Sequence, residues 1–158
     1  MTANAIARFL EAIGYPERAS DGASSFTLQV DGGEIVASAE AGALRLVCPL
    51  SDDPEQLPRL AEYAAGRMLR EDAVLAYGSA EGLNVEKSKV ESSGTLQPFN
   101  LQPSTFLWQE IPATADAHDL RRFFETFCDS CDWWRARLEA ERTGGDAGEP
   151  SGEMMIRP

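Results

Sequence analysis

The sequence predicts an α+β fold in which a small antiparallel sheet is covered by helices. Three observations carry this. Ser25 to Leu50, SFTLQVDGGEIVASAEAGALRLVCPL, shows alternating apolar and polar residues broken twice by glycine-containing turns. Asp116 to Arg142 keeps apolar residues at three- and four-residue spacing throughout. A shorter segment with the same helical spacing, Ala3 to Ile13, lies at the other end of the chain.

The meander comes first because the rest must cover it. Phe26, Leu28 and Val30 alternate with Ser25, Thr27 and Gln29, giving a strand with one apolar side. Asp31-Gly32-Gly33 makes a turn, after which Ile35, Ala37 and Ala39 share one face and Glu34, Val36 and Ser38 the other. Glu40-Ala41-Gly42 makes the next turn, and Leu44, Leu46, Cys48 and Leu50 alternate with Arg45, Val47 and Pro49. Strands joined by turns of about three residues must be antiparallel neighbours, since a parallel return needs a long crossover. Val36 and Val47 stand out, because they are apolar on the nominally polar side.

In the first helix Ile6, Phe9, Leu10 and Ile13 form the apolar stripe, and Gly14 with Pro16 ends it. Asp53-Pro54 is a helix-start signature, but Pro58 pushes the regular helix to Leu57–Arg70. That helix interleaves Leu57, Leu60, Tyr63 and Met68 with Ala61, Ala64, Ala65 and Gly66. Small residues either pack on the chain's own sheet or let the same helix of a second chain approach. Residues 71–93 are harder to read: Val74–Tyr77 and Leu83–Val85 each suit a short strand, and Glu86–Glu91 an exposed edge or a loop. Thr95–Gln102 and Thr105–Ile111 look like a last strand pair, with Phe106, Trp108 and Glu110 on one side and Leu107, Gln109 and Ile111 on the other. The closing helix places Leu120, Phe124, Phe127, Cys131, Trp134 and Leu138 on one face, with Trp133 turned away from it. Residues 143–158 have the composition of a disordered tail, which leaves one domain over 1–142.

Composition narrows the function classes. The 158 residues carry a net charge of −12, which argues against nucleic-acid binding and is compatible with a basic protein partner. No apolar run approaches the ~20 residues of a membrane span, and the N-terminus does not read as a secretory signal. The three cysteines, an odd number, argue for a reducing cytoplasm. Cys128-Asp129-Ser130-Cys131 has zinc-knuckle or dithiol spacing, but mid-helix it reads as two small packed residues. His118, between Asp116 and Asp119, reads as a solvated residue of a capping turn. No GxSxG, phosphate-cradling loop or HExxH is present, so no catalytic constellation, metal site or cofactor is expected.

The order helix, three-strand meander, helix, strand pair and long helix resembles the class I type III secretion chaperones, the Tir chaperone (CesT) family. The residues that carry the likeness are FLEAIGY from Phe9 to Tyr15, the Ser25–Leu50 meander, DDPEQLPRLAEYAAGRML, TFLWQEIP from Thr105 to Pro112, and RRFFETFCDSCDWWRARLE. The chain departs from the family where Glu71-Asp72 stands at the turn after the second helix and the 71–93 insertion follows. The resemblance implies a bacterial cytoplasmic homodimer that binds the N-terminal segment of a secreted effector in extended form, without a cofactor. Release would draw on the secretion ATPase. On that basis Leu60, Ala61, Ala64, Met68 and Trp108 are expected to contribute to dimerisation. Ile6, Phe9, Leu10, Phe26, Leu28, Ile35, Val36, Leu46 and Val47 are expected to form effector pockets. Two alternatives stay open: an adaptor that sequesters a secretion regulator, and a small enzyme built around His118, Cys128 and Cys131.

Overall fold

The computed structural model describes residues 2–18, 24–78 and 104–144. The expected strands at Leu83–Val85 and Thr95–Gln102, the Glu86–Glu91 segment and the tail beyond Gly144 lie outside them. The fold is α+β: among the described residues there are five antiparallel strands and three α-helices, the last of them long.

Helix α1 (Thr2–Ala12) ends where Gly14 takes a φ of 93°, and the Tyr15 N–H donates to the Leu10 carbonyl at 2.7 Å. Strands β1 (Ser25–Val30), β2 (Gly33–Glu40) and β3 (Ala43–Ser51) form the expected meander. Its turns are tighter than the sequence suggests, with two residues each. Asp31-Gly32 and Ala41-Gly42 all have positive φ, the geometry that matches the twist of the strands they join. Asp tolerates this conformation; Ala41, at φ 48°, has no polar side chain to offset the clash of its Cβ. Ala41→Asn is therefore expected to stabilise the protein by about 0.5–1 kcal/mol, read as a higher urea midpoint with an unchanged slope.

Asp53 caps a short 3₁₀ turn, accepting from the Glu55 N–H at 2.9 Å. It leads into α2 (Leu57–Arg67), where Pro58 is tolerated in the first turn. Strands β4 (Val74–Gly78) and β5 (Ser104–Pro112) complete a sheet of order β1-β2-β3-β5-β4. This corrects the expected pairing: β5 lies between β3 and β4, and Thr105–Trp108 is bonded on both sides. The register of β3 on β5 shifts between Pro49 and Ser51, an irregularity at the one proline inside a central strand. Asp116 Oδ1 accepts from the Asp119 N–H at 2.8 Å and starts α3 (Ala117–Arg142).

All three helices bury their stripes against one side of the sheet. Ile6, Phe9 and Leu10 of α1, Leu60 and Ala64 of α2, and Leu120, Phe127, Cys131, Trp134 and Leu138 of α3 share a core with Leu28, Ile35, Leu44, Leu46, Leu107 and Ile111. Phe9 meets Phe124 edge-on at 5.5 Å. Thr105 and Gln109 also face this core, and their side-chain polar atoms find no partner among the described residues. A strap joins α2 to α3. Arg59 donates to Glu141 at 2.7 Å, Tyr63 donates to Glu141 at 2.9 Å, and Arg137 donates to the Tyr63 hydroxyl. Tyr63 and Arg59 together hold the Glu141 carboxyl below the usual carboxylate range.

Candidate functional site

The opposite side of the sheet carries apolar side chains that the core does not use. Residues directly paired between antiparallel strands point to the same side. Thr27 pairs with Val36, Val36 with Val47, Val47 with Trp108, and Trp108 with Val74, so one row crosses all five strands. The adjacent row contains Pro49, Phe106 and Ala76. None of these residues belongs to the core under the helices.

Next to the apolar rows the same face becomes charged. Ser38 pairs with Arg45 and Arg45 with Glu110. Arg45 is held by Glu40 and reaches Glu110 at 3.6 Å. The face thus offers a band of Val, Trp and Pro, with Phe106 buried within it, edged by a fixed polar row. Trp108 is half-buried within the band, and its indole N–H has no acceptor among the described residues. Among the described residues strand β1 is one edge of the sheet and β4 the other. An unpaired strand edge presents backbone donors and acceptors to which an extended chain can add.

The structure divides the expected effector-binding residues into two groups. Ile6, Phe9, Leu10, Leu28, Ile35 and Leu46 are buried core residues beneath the helices, with no surface to present. They fill the apolar stripes that cover the sheet, which is why periodicity alone could not tell them from pocket residues. Phe26 is half-buried at the β1 edge, with the Arg18 guanidinium 5.5 Å from its ring centroid. Val36 and Val47 are partly exposed on the outer face and directly paired.

The expected dimerisation residues divide in the same way. Leu60 and Ala64 are buried in the chain's own core, whereas Ala61 of α2 and Met68, the residue that caps its C-terminus, are exposed. Met68 is 44% exposed and Leu69, just past the helix, 89%. Trp108 lies in the row with Val36 and Val47, away from α2. Val74 and Phe106 were not singled out from the sequence. Their signal was the same as that of Val36, an apolar residue out of phase with the core stripe, but it was usable only once β5 was known to lie between β3 and β4.

The rival catalytic residues do not assemble into a site. His118 is exposed beside Arg8, Glu11 and Arg121. Both arginines serve the fold: Arg8 donates to the Ala113 and Ala115 carbonyls at 2.9 and 2.8 Å, and Arg121 to the Ala12 carbonyl at 2.9 Å. Among the described residues no group of three or more His, Cys, Asp and Glu side chains is placed to hold a metal ion, and no helix is long and apolar enough to cross a membrane. No family model matches this chain, and no curated protein matches it. It is similar to a chain of a solved structure described as "Structure of the HopA1-SchA Chaperone-Effector Complex", with 18% sequence identity, a TM-score of 0.46, and coverage of 72% of this chain and 76% of that one.

Proposed function

We propose that this chain is a type III secretion chaperone that holds the N-terminal segment of a cognate effector extended against the outer face and edge of its sheet. The observation that carries this reading is the row Val36–Val47–Trp108–Val74, an apolar band on the side of the sheet away from the core. Such a surface suits side chains spaced at alternate positions along an extended segment, while a free strand edge supplies main-chain hydrogen bonds. Binding of this kind needs no cofactor. The net charge of −12 favours a segment carrying basic residues. The buried Ile6, Phe9, Leu10, Leu28, Ile35 and Leu46 then act by supporting this face, and Phe26, paired with Ala37 on the core side, supports it at the β1 edge.

The family resemblance of the residue pattern further supports a cytoplasmic homodimer and hand-over to the secretion ATPase. The exposed side of α2, with Ala61 and Met68, is the dimer surface proposed here; Trp108 belongs with the effector face instead. Light scattering on the purified chain at micromolar concentration should give twice the chain mass, and Met68→Asp should return it to a monomer of unchanged helicity. A wild-type monomer would remove the dimer from the proposal. Co-purification of the tagged chain from its own cell, followed by mass spectrometry, tests the function. A secreted protein bound through its N-terminus is the expected result, and a transcriptional or secretion regulator would favour the adaptor reading.

A further inference from the structure

The chain beyond α3 is small and polar with one exception. From Gly145 to Glu153 it reads GDAGEPSGE, and then Met154, Met155 and Ile156 stand together, followed by Arg157. Gly, Pro, Ser and acidic residues keep a segment solvated, and bulky apolar residues do not belong to such a composition. Burying a Met or Ile side chain stabilises by roughly 1.5–3 kcal/mol, so three in a row favour an apolar surface within reach. Methionine adapts to an irregular surface, because its side chain is unbranched and turns about several bonds.

The direction of α3 sets what is in reach. Early in the helix, Arg121 donates to the carbonyl of Ala12 at the end of α1. Later, Arg135 lies over Gly33 at the start of β2 and donates to Cys48 Sγ of β3 at 3.1 Å. The helix therefore leaves towards the end of the sheet that carries Gly33 and Cys48. On the outer side of that end lie Pro49, Phe106 and Ala76. Nine residues, Gly145 to Glu153, separate Gly144 from Met154. A glycine-rich linker of that length spans about 16 Å on average and ~30 Å when extended. Packed layers are only about 10 Å apart, so Met154 reaches round the end of the sheet to its outer side.

The outer rows match this segment in order and in charge. From the end that α3 approaches, they come as Pro49 with Phe106, then Val47 with Trp108, then Arg45 with Glu110. Glu40 and Glu110 share Arg45, which leaves the last row with one negative charge. Successive rows on one side of a sheet are two residues apart, and so are Met155 and Arg157. An extended segment that sets Met155 on the Val47–Trp108 row thus brings Arg157 to the carboxylates.

We propose that Met154–Arg157 is an internal occupant of the outer face, docked across the Val47–Trp108 row with Arg157 against Glu40 and Glu110, and that a partner segment must displace it. The competition rests on the function proposed above; the docking does not. A tether of this length holds the segment at an effective concentration on the order of millimolar, so a contact too weak to form between separate molecules is populated within one. The partner then meets a face that is free for only part of the time, and its apparent affinity falls by that fraction. The apolar band is thereby covered until a longer or better-matched segment takes it.

The test uses the full chain. Met155→Asp/Ile156→Asp and Arg157→Glu alter only residues beyond α3, so circular dichroism should not change. In two-dimensional NMR, the Trp108 indole N–H and the Val36 and Val47 methyl resonances should move in the double variant and move part of the way in Arg157→Glu. They should stay in place in Glu149→Gln, which alters the linker alone, and the shifts should not depend on protein concentration. Capture of the co-purifying partner should strengthen about tenfold in the double variant, the gain expected when the tail covers about nine-tenths of the faces. Unmoved resonances, movement confined to the helical side, or shifts that vanish on dilution overturn the docking, whatever the partner does. Moved resonances with unchanged capture overturn the competition. If Val47→Asp also leaves capture unchanged, the proposed function has failed at this face while the docking stands.

Discussion

Val47→Asp is expected to weaken capture of the co-purifying partner by about a hundredfold, or ~2.7 kcal/mol, in a folded protein. Val47 is at the centre of the outer row, paired with Val36 on one side and Trp108 on the other. A carboxylate there reaches water from a partly exposed position, so the loss in the free protein is limited to roughly 1 kcal/mol of strand preference. In a complex the same carboxylate would be enclosed between an apolar segment and two apolar neighbours, where its desolvation is uncompensated. Titration calorimetry against the partner, with circular dichroism as the fold control, separates the two effects. Unchanged affinity would show that the segment binds elsewhere.

Phe9 should behave in the opposite way. The side chain is 0% exposed and packs edge-on against Phe124, so Phe9→Asp buries an unpaired charge whose cost is comparable with the ~5–15 kcal/mol stability of a whole domain. The variant is expected to be unfolded or insoluble. Phe9→Ala, which leaves a cavity without a charge, should remain folded but lose about 3–5 kcal/mol in urea denaturation. The resemblance at the sequence level had placed Phe9 in a partner pocket, and that role predicts a folded Phe9→Asp protein that simply fails to bind. Denaturation curves of the two variants decide between the roles without knowledge of the partner.

Phe9 and Val47 also mark how far the sequence could be read. The alternation in Ser25–Leu50, the helical stripe from Leu120 to Leu138 and the caps at Gly14, Asp53 and Asp116 are local patterns, and the corresponding elements formed nearly where they were expected. Periodicity reports which residues share a side of an element. It is silent about whether that side meets the chain's own core or another molecule, and so Ile6, Phe9, Leu10 and Leu60 were open to both readings. Gln109 shows the converse, a polar residue buried on the core side.

What the sequence alone determined is therefore the α+β class, the antiparallel meander and the apolar face of each helix, because these follow from periods of two and 3.6 residues and from turn chemistry within short stretches. Only the tertiary structure decided that β5 lies between β3 and β4, and with it that Val36, Val47, Trp108 and Val74 form one row. It likewise decided that Arg135 of α3 lies over Gly33 and reaches Cys48 of β3. The physical reason is common to both. Strand order and helix-on-sheet packing are set by which apolar surfaces bury one another between distant parts of the chain, and no local pattern encodes that choice.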